Sequence, residues 1–573
     1  MSMKGLLASD PPLKRSSSSN STTKERNNII EKNSNKRNSI LLELDYDEDE
    51  SDLSSEVSSD AAIIKETNRI NNNLQHRPKK SADSKDSESR SRSTTVEEYK
   101  DEKKKTKVYT PKKPKDWFRY KKDGSFRSKF GDYVFSPQES IIEHEIKFGK
   151  PFYGFFVCFW FCIAVLGINV LLHYWLDGGL MFESVIFKLL TTKLIQVGLT
   201  DLTLYLLTYF SVFIQFLVKW DIISWSKTGL IAQSIFEILF VINSIFIADY
   251  SGFSWIAQIF LVLHSLVMLM KMHSYAFYNG YLWNIEKELK FSKSYLEKHK
   301  NDNKLDESIV SKLNKSVDFC TFELKAQSTT NPFPNNISLS NYFNYSMFPT
   351  LIYVIDFPRT EKIRIKFLLS KICGIFGVIY LMMIISQSHL YPIVIKCIEL
   401  RETTSFWYRV KLFPIILLDT IPPFLTVYLL VFYLIWELIL NAIAELSRFA
   451  DRDFYRYWWN STTWDEYARD WNTPVHRFLL RHVYHSSISA LNVSKTVAMF
   501  ITFFLSSIVH ELAMFVIFKK FRGYLLCLQM SQLPLVAISN TKILKGRKTI
   551  GNAIFWFGIF LGPSLMCTVY LLF

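Results

Sequence analysis

A histidine in the middle of a long apolar run is the residue best placed to do chemistry. His510 lies within FFLSSIVHELAMFVIF. If its helix starts near Ser494, His510 sits about 24 Å along it at 1.5 Å per residue. An ionisable side chain at that depth is costly and by default marks a functional position. Burial disfavours the imidazolium and keeps the ring neutral. A neutral imidazole in a dry cavity accepts a proton from an alcohol. Ser506, four residues earlier, shares its helix face, whereas Glu511 follows directly and points elsewhere. A lone histidine in a span also serves as a hydrogen-bonding residue between packed helices, and both readings stand at this point.

The second concentration of chemistry is residues 454–487, FYRYWWNSTTWDEYARDWNTPVHRFLLRHVYHSS. An interfacial aromatic belt explains Trp458, Trp459 and Trp464. It does not explain why Asn472, His476, His482 and His485 gather just before the span that holds His510. A zinc site from the three histidines has spacings of six and three, with no carboxylate or cysteine at the usual distance. No metal is expected.

The elements that position these residues are membrane spans. Hydrophobic residues make up 49% of the 573-residue chain and aromatics 16%. Residues 1–110 are instead rich in Ser, Asn, Lys and Asp, and cannot bury enough apolar surface to fold alone. They read as a disordered cytosolic arm. Residues 111–150 mix aromatics with Lys and Arg, as a juxtamembrane segment does. The opening MSMKGLLASD lacks the apolar run of a cleavable leader, so the first span, from about Pro151, is expected to act as the insertion signal. A span needs about 20 apolar residues. About nine candidates follow on that criterion, near 152–175, 197–219, 229–249, 253–276, 366–386, 411–440, 494–518, 523–540 and 551–573. The stretch 388–399 fits a re-entrant or interfacial helix. The architecture is therefore all-α and polytopic over 151–573, with no alternating pattern of a β-barrel.

Charge supplies a topology. The net charge is +15, and cytosolic loops collect Lys and Arg. The charged loop 284–365, the loop 441–493 and TKILKGRKT then share the side of the N-terminal arm. KKFR at 519–522 falls on the opposite side, so it is either buried within the protein or marks a miscounted span. Within so apolar a body the positive charge points to lipid, and no nucleic-acid partner is expected. Seven cysteines, mostly in apolar stretches, are read as buried hydrophobes rather than a disulfide framework. Glu237, Asp419 and Glu437 lie in spans without an assigned role.

Two motifs resemble a known family. FYRYWWN is similar to the FYxDWWN motif of sterol O-acyltransferases and their diacylglycerol O-acyltransferase relatives. WNTPVH followed by SSIVHE resembles the asparagine-and-histidine pair of the wider membrane-bound O-acyltransferase family. YSMFPTLIYVIDFPRT, NAIAELSRFADRDFY, RHVYHSS and QMSQLPLVAISNTK look like the fungal sterol enzymes in particular. The resemblance covers about residues 130–573.

It implies spans enclosing an intramembrane reaction chamber, and transfer of a fatty acyl group from acyl-CoA, a co-substrate rather than a cofactor, to a sterol 3-hydroxyl, with ergosterol expected. It implies that His510 is the general base and that Asn472 orients or polarises the thioester. Phe454, Tyr455, Trp458, Trp459 and Asn460 would form the acyl-CoA side of the chamber, and His476, Tyr484, Lys495 and Ser506 would line the acyl-CoA tunnel. Lys495 also suits the CoA phosphates by charge. Tyr457 stands where the family motif has Asp, and Asp453, four residues earlier, would be the candidate to substitute for it. The endoplasmic reticulum membrane and a homo-oligomer are expected on the same ground. A diacylglycerol acceptor and a non-enzymatic transporter or scaffold remain as alternatives, although no inverted repeat supports the transporter.

Overall fold

The computed structural model describes residues 119–573 apart from 122–123, 132, 148–152, 177–182, 300–306, 492, 540, 542–543 and 545. The arm expected over 1–110 lies outside the described residues. Among the described residues the chain is helical, with only isolated β-bridges such as Gln138 to Asp451.

Among the described residues seven helices are long and apolar enough to cross a membrane: Val185–Lys219, Trp225–Tyr250, Trp255–Lys298, Ile365–Thr403, Phe406–Ser447, Lys495–Phe518 and Lys548–Leu572. Two shorter apolar helices, Val157–His173 and Tyr524–Ser539, fall at the first and eighth expected positions. Many large apolar side chains on these helices remain uncovered, including Ile195, Leu199 and Phe246, as lipid-facing side chains do.

Three departures from the sequence reading have physical causes. The stretch 388–399 is no separate re-entrant element. It continues the Ile365–Thr403 helix through a π-helical turn at Ser386–Leu390, because the polar SQSH interrupts hydropathy without breaking backbone hydrogen bonding. The loop expected at 284–365 is largely helical: Trp255–Lys298 runs 44 residues, about 66 Å at 1.5 Å per residue, which is longer than a bilayer is thick. Glu307–Gln327 then packs back on it through Phe319, Cys320 and Ile285. Finally, KKFR is tied to the protein but not buried: Lys519, Lys520 and Phe521 are exposed and Arg522 is half-buried. Lys519 donates to Asp249 and Gln258, both at 2.6 Å, and Arg522 donates to the Tyr570 carbonyl at 2.7 Å.

The described part of the juxtamembrane segment, from Arg119 on, packs on this body. Arg119 makes a forked pair with Glu288 at 3.0 and 3.1 Å. Gln138 and Tyr133 donate to Asp451, each at 2.9 Å. Glu143 receives Arg364 at 2.6 Å. The proline-bearing Phe406–Phe432 helix runs into a π-helical stretch, Tyr433–Ile439, that turns Glu437 into the core.

Candidate active site

The His510 helix begins at a capped end: the Ser494 hydroxyl accepts the Val497 amide at 3.4 Å, as serine does at helix starts. One hydrogen bond fixes the imidazole. Its Nδ1 lies 2.8 Å from the Ser506 carbonyl, and a carbonyl only accepts, so the proton is on Nδ1. Nε2 then carries the free lone pair. His510 stands on an open face of the helix, beside the uncovered Phe504, Leu505 and Ile508. Ser506, half-buried, lies one turn below it.

The next residue does the opposite. Glu511 is buried and accepts from the amides of Arg522, Gly523 and Leu526 at 3.3, 2.7 and 3.1 Å. It also takes the Tyr570 hydroxyl at 2.8 Å. This carboxylate docks the His510 helix on the following hairpin and on the last helix, which leaves His510 facing the other way. The division of labour between the two neighbours matches the sequence reading.

Asn472 caps a second short helix, Thr473–Phe478: its Oδ1 accepts the Val475 amide at 3.2 Å. That bond orients the amide and leaves its Nδ2 hydrogens as donors. The backbone around Asn472 is tied to FYRYWWN. Arg456 N donates to Asp470 O at 2.8 Å, Thr473 N to Phe454 O at 3.2 Å, and the Thr473 hydroxyl to Asp453 O at 2.6 Å. No hydrogen bond joins Asn472 to His510 in this structure; they stand on separate elements.

Phe454, Tyr455 and Trp458 are buried in the largest aromatic cluster, with Phe432 and Phe555. Tyr455 donates to Glu437 at 2.8 Å, and Lys371 donates to the same carboxylate at 2.6 Å. Trp459 is half-buried, and its carbonyl receives Asn552 and Trp556, each at 3.1 Å. Asn460 is exposed. The loop seats on the last helix because that helix offers no side chain there: a Cβ on Gly551 would lie 2.6 Å from the Thr462 carbonyl, and one on Gly558 2.4 Å from the Trp464 ring. Tyr457 is exposed and meets Trp459 edge-on at 5.7 Å. Asp453 does hold this region together, through Arg456 at 3.3 Å and through Arg477.

His476 is half-buried; burial first, then the charges of Arg469, Arg456 and Arg477, lowers its pKa to about 4. It is therefore neutral near pH 7. His482 sits in a π-helical turn, Leu479–Tyr484, and burial holds it well below the ordinary histidine range. Its Nε2 lies 2.8 Å from the Ser274 hydroxyl, which also accepts the Tyr353 amide at 2.8 Å. His273 crosses His482 edge-on at 5.2 Å and bonds Glu237 at 2.9 Å. Neither the Glu237–His273–His482–Ser274 group nor the separate Glu437–Lys371 pair is legible from sequence. Intramembrane Glu237 and Glu437 were the signal, but their charged partners, His273 and Lys371, lie 36 and 66 residues along the chain. Tyr484 packs on Ile488 and Ala498 at the foot of the His510 helix, and Lys495 is exposed at its first turn. No three His, Cys, Asp or Glu side chains converge as a metal site among the described residues, so His476, His482 and His485 do not make the zinc set considered above.

An imidazole whose Nε2 lone pair is free, on an apolar span, and an amide donor on a separate loop suit transfer of an acyl group to an alcohol. The model of the membrane-bound O-acyltransferase family matches residues 168–572. The chain belongs to this family. It is thus a multi-spanning acyltransferase, and several family members resemble it over most of their length. It is 50% identical over 445 residues to Sterol O-acyltransferase 2 of Saccharomyces uvarum, covering 76% of this chain and 68% of that one. It is 46% identical over 488 residues to the Candida albicans protein of the same name, covering 78% and 80%. Diacylglycerol O-acyltransferase 1 of Dictyostelium discoideum matches less of this acyltransferase: 36% identity over 243 residues, or 42% and 38% of the two chains.

Proposed function

We propose that this acyltransferase esterifies the 3-hydroxyl of a membrane sterol, ergosterol by expectation, with the fatty acyl group of acyl-CoA. The reading is supported by the likeness to the two fungal sterol O-acyltransferases. The single structural observation that carries its mechanism is the Nδ1–H bond of His510 to Ser506 O at 2.8 Å.

With Nδ1 protonated, Nε2 of His510 accepts the alcohol proton as the sterol oxygen attacks the thioester carbonyl carbon. The C–S bond then breaks, the ester is released, and the imidazolium returns the proton to the departing thiolate to give free CoA. An Nδ2–H of Asn472 donates to the carbonyl oxygen as negative charge builds on it. Lys495, at the positive N-terminal end of its helix, meets CoA phosphate. His476, Tyr484 and Ser506 flank the acyl-CoA path, with Trp459 and Asn460 nearest its open side. Phe454, Tyr455 and Trp458 act from behind by packing. The thioester is already activated, so the step balances with acyl-CoA as co-substrate and without a cofactor, a metal or a covalent acyl-enzyme. The endoplasmic reticulum membrane and a homo-oligomeric assembly belong to the same proposal.

The acceptor is tested by incubating membranes containing the chain with labelled oleoyl-CoA and either ergosterol or diacylglycerol. Steryl ester as the main product supports the reading. Triacylglycerol as the main product keeps the mechanism and replaces the acceptor. No product from well-folded protein removes the reading.

A further inference from the structure

One side chain of the juxtamembrane segment holds the Asn472 loop from outside. Tyr133, half-buried, donates its hydroxyl to the buried Asp451 carboxylate at 2.9 Å, across 318 residues of sequence. Burial raises its pKa above the ordinary phenol value, so the hydroxyl stays a donor. The ring of the same residue carries a cation: the Arg477 guanidinium stands 3.9 Å from its centre. Asp451 lies just before FYRYWWN, and Arg477 is on the Thr473–Phe478 helix that Asn472 caps. Tyr133 therefore touches both ends of the stretch 451–477, which contains FYRYWWN and Asn472.

The two ends are held unequally. Asp451 also accepts from Gln138 Nε2 at 2.9 Å and from the amides of Ser136 and Asp453, each at 3.2 Å. Gln138 adds backbone bonds on either side, donating to Ala450 O at 3.0 Å and accepting from Arg452 N at 3.1 Å. The near end is thus fixed without the tyrosine. At the far end Arg477 pairs with Asp453, a carboxylate it shares with Arg456. A guanidinium on one shared carboxylate pivots about it, and an aromatic face beneath its plane removes that freedom. Packing alone does not account for Tyr133. It lies at the edge of the aromatic core, whereas Phe135, two residues on, fills that core against Phe449.

We propose that Tyr133 is a positioning residue for the acyl transfer: its ring seats Arg477 and thereby sets the Asn472 helix against the thioester. The proposal rests on the reading of Asn472 as a donor to the thioester carbonyl. A donor displaced by about 1 Å costs turnover steeply. Because that bond strengthens only as charge builds on the oxygen, the loss falls on kcat and leaves the binding of acyl-CoA intact.

The test uses the purified full chain in phosphatidylcholine nanodiscs and varies oleoyl-CoA. Released CoA is read with ergosterol and diacylglycerol both present, so the result does not depend on which alcohol is the acceptor. Tyr133→Leu should lower kcat about tenfold or more, with KM for oleoyl-CoA within about twofold of wild type. Tyr133→Phe keeps the ring under Arg477 and should stay within about threefold. Arg477→Lys keeps the charge for Asp453 but loses the planar stack, and should fall with Tyr133→Leu. Val134→Ser, at the exposed neighbouring position, should match wild type. Where Tyr133→Leu is not monodisperse, loss in Arg477→Lys with retention in Tyr133→Phe supports the proposal, and equal turnover in those two overturns it. Wild-type kcat in Tyr133→Leu beside a deficient Asn472→Ala overturns the role of Tyr133 alone, as does a loss confined to KM or an equal loss in Tyr133→Leu and Tyr133→Phe. Wild-type turnover in Asn472→Ala overturns the reading of Asn472 and the proposal with it.

Discussion

Tyr455 donates its hydroxyl to Glu437 at 2.8 Å, inside the aromatic core and beside the Lys371 ammonium. The bond ties FYRYWWN to the π-helical stretch of the Phe406–Ser447 span, and through the Phe454–Thr473 backbone bond to the loop that carries Asn472. Tyr455→Phe removes one donor from a buried carboxylate that keeps its cation, and should cost about 1.5–3 kcal/mol. Lys371→Met leaves Glu437 buried without that cation and should cost about 3–5 kcal/mol. Thermal unfolding in detergent, followed by size-exclusion chromatography, should rank Lys371→Met below Tyr455→Phe. The reverse order would mean that the lysine does not neutralise Glu437.

Glu511 is predicted to be a positioning residue. Replacing it by Ala strands three amides and the Tyr570 hydroxyl, at about 1–3 kcal/mol for each buried group left unmade. Steryl-ester synthesis by Glu511→Ala should fall more than tenfold together with its thermal stability. Tyr570→Phe removes one of those four donors and should lose about 1–2 kcal/mol, with activity within a few-fold of wild type. Glu511→Ala with unchanged stability and lost turnover would instead place the carboxylate in the chemistry.

His476 supplies a pH dependence with a definite sign. Its folded pKa is depressed to about 4 from 6.5. Between those values the unfolded chain binds a proton that the folded chain refuses. Stability is therefore full above about pH 6.5 and falls as pH drops toward 4, by up to about 3 kcal/mol. His482 is depressed in the same direction, so His476→Gln should shrink the loss rather than abolish it. Comparing unfolding midpoints of wild type and variant at pH 7 and pH 4.5 reads the difference. An identical drop in both proteins would contradict the assignment.

The substitution at Tyr457 is predicted to be benign. The side chain is 46% exposed, and surface changes of this kind usually stay within about 0.5 kcal/mol. Tyr457→Asp should leave steryl-ester synthesis within about twofold of wild type. Asp453→Ala, which releases Arg456 and Arg477, should lower it several-fold. A large gain in Tyr457→Asp with no effect of Asp453→Ala would show that the motif position itself, not its neighbour, holds the loop.

How far this molecule was legible in its sequence depended on the range of the interaction. The apolar runs were visible because a span must be apolar over its whole length. The opposed faces of His510 and Glu511 followed from helical periodicity. The N-terminal part of the second span was missed because Lys193, at φ 57°, breaks that helix and its polar neighbours dilute the hydropathy. The aromatics of FYRYWWN did not announce which were buried and which open, since Trp458 and Trp459 are chemically alike and only tertiary packing separates them, Trp458 within the aromatic core and Trp459 at its edge against Asn552 and Trp556. Glu437 is legible as a costly charge in a span, but its partner Lys371, 66 residues away, is not.

The central claim is that His510 Nε2 is the base. It is tested by steryl-ester synthesis with saturating oleoyl-CoA and ergosterol, comparing wild type with His510→Ala and His510→Gln that elute as monodisperse protein and still bind acyl-CoA. The account predicts a fall of about 10²–10⁴-fold in turnover for both variants, the range of general-base catalysis. Turnover within a few-fold of wild type in either variant would contradict it.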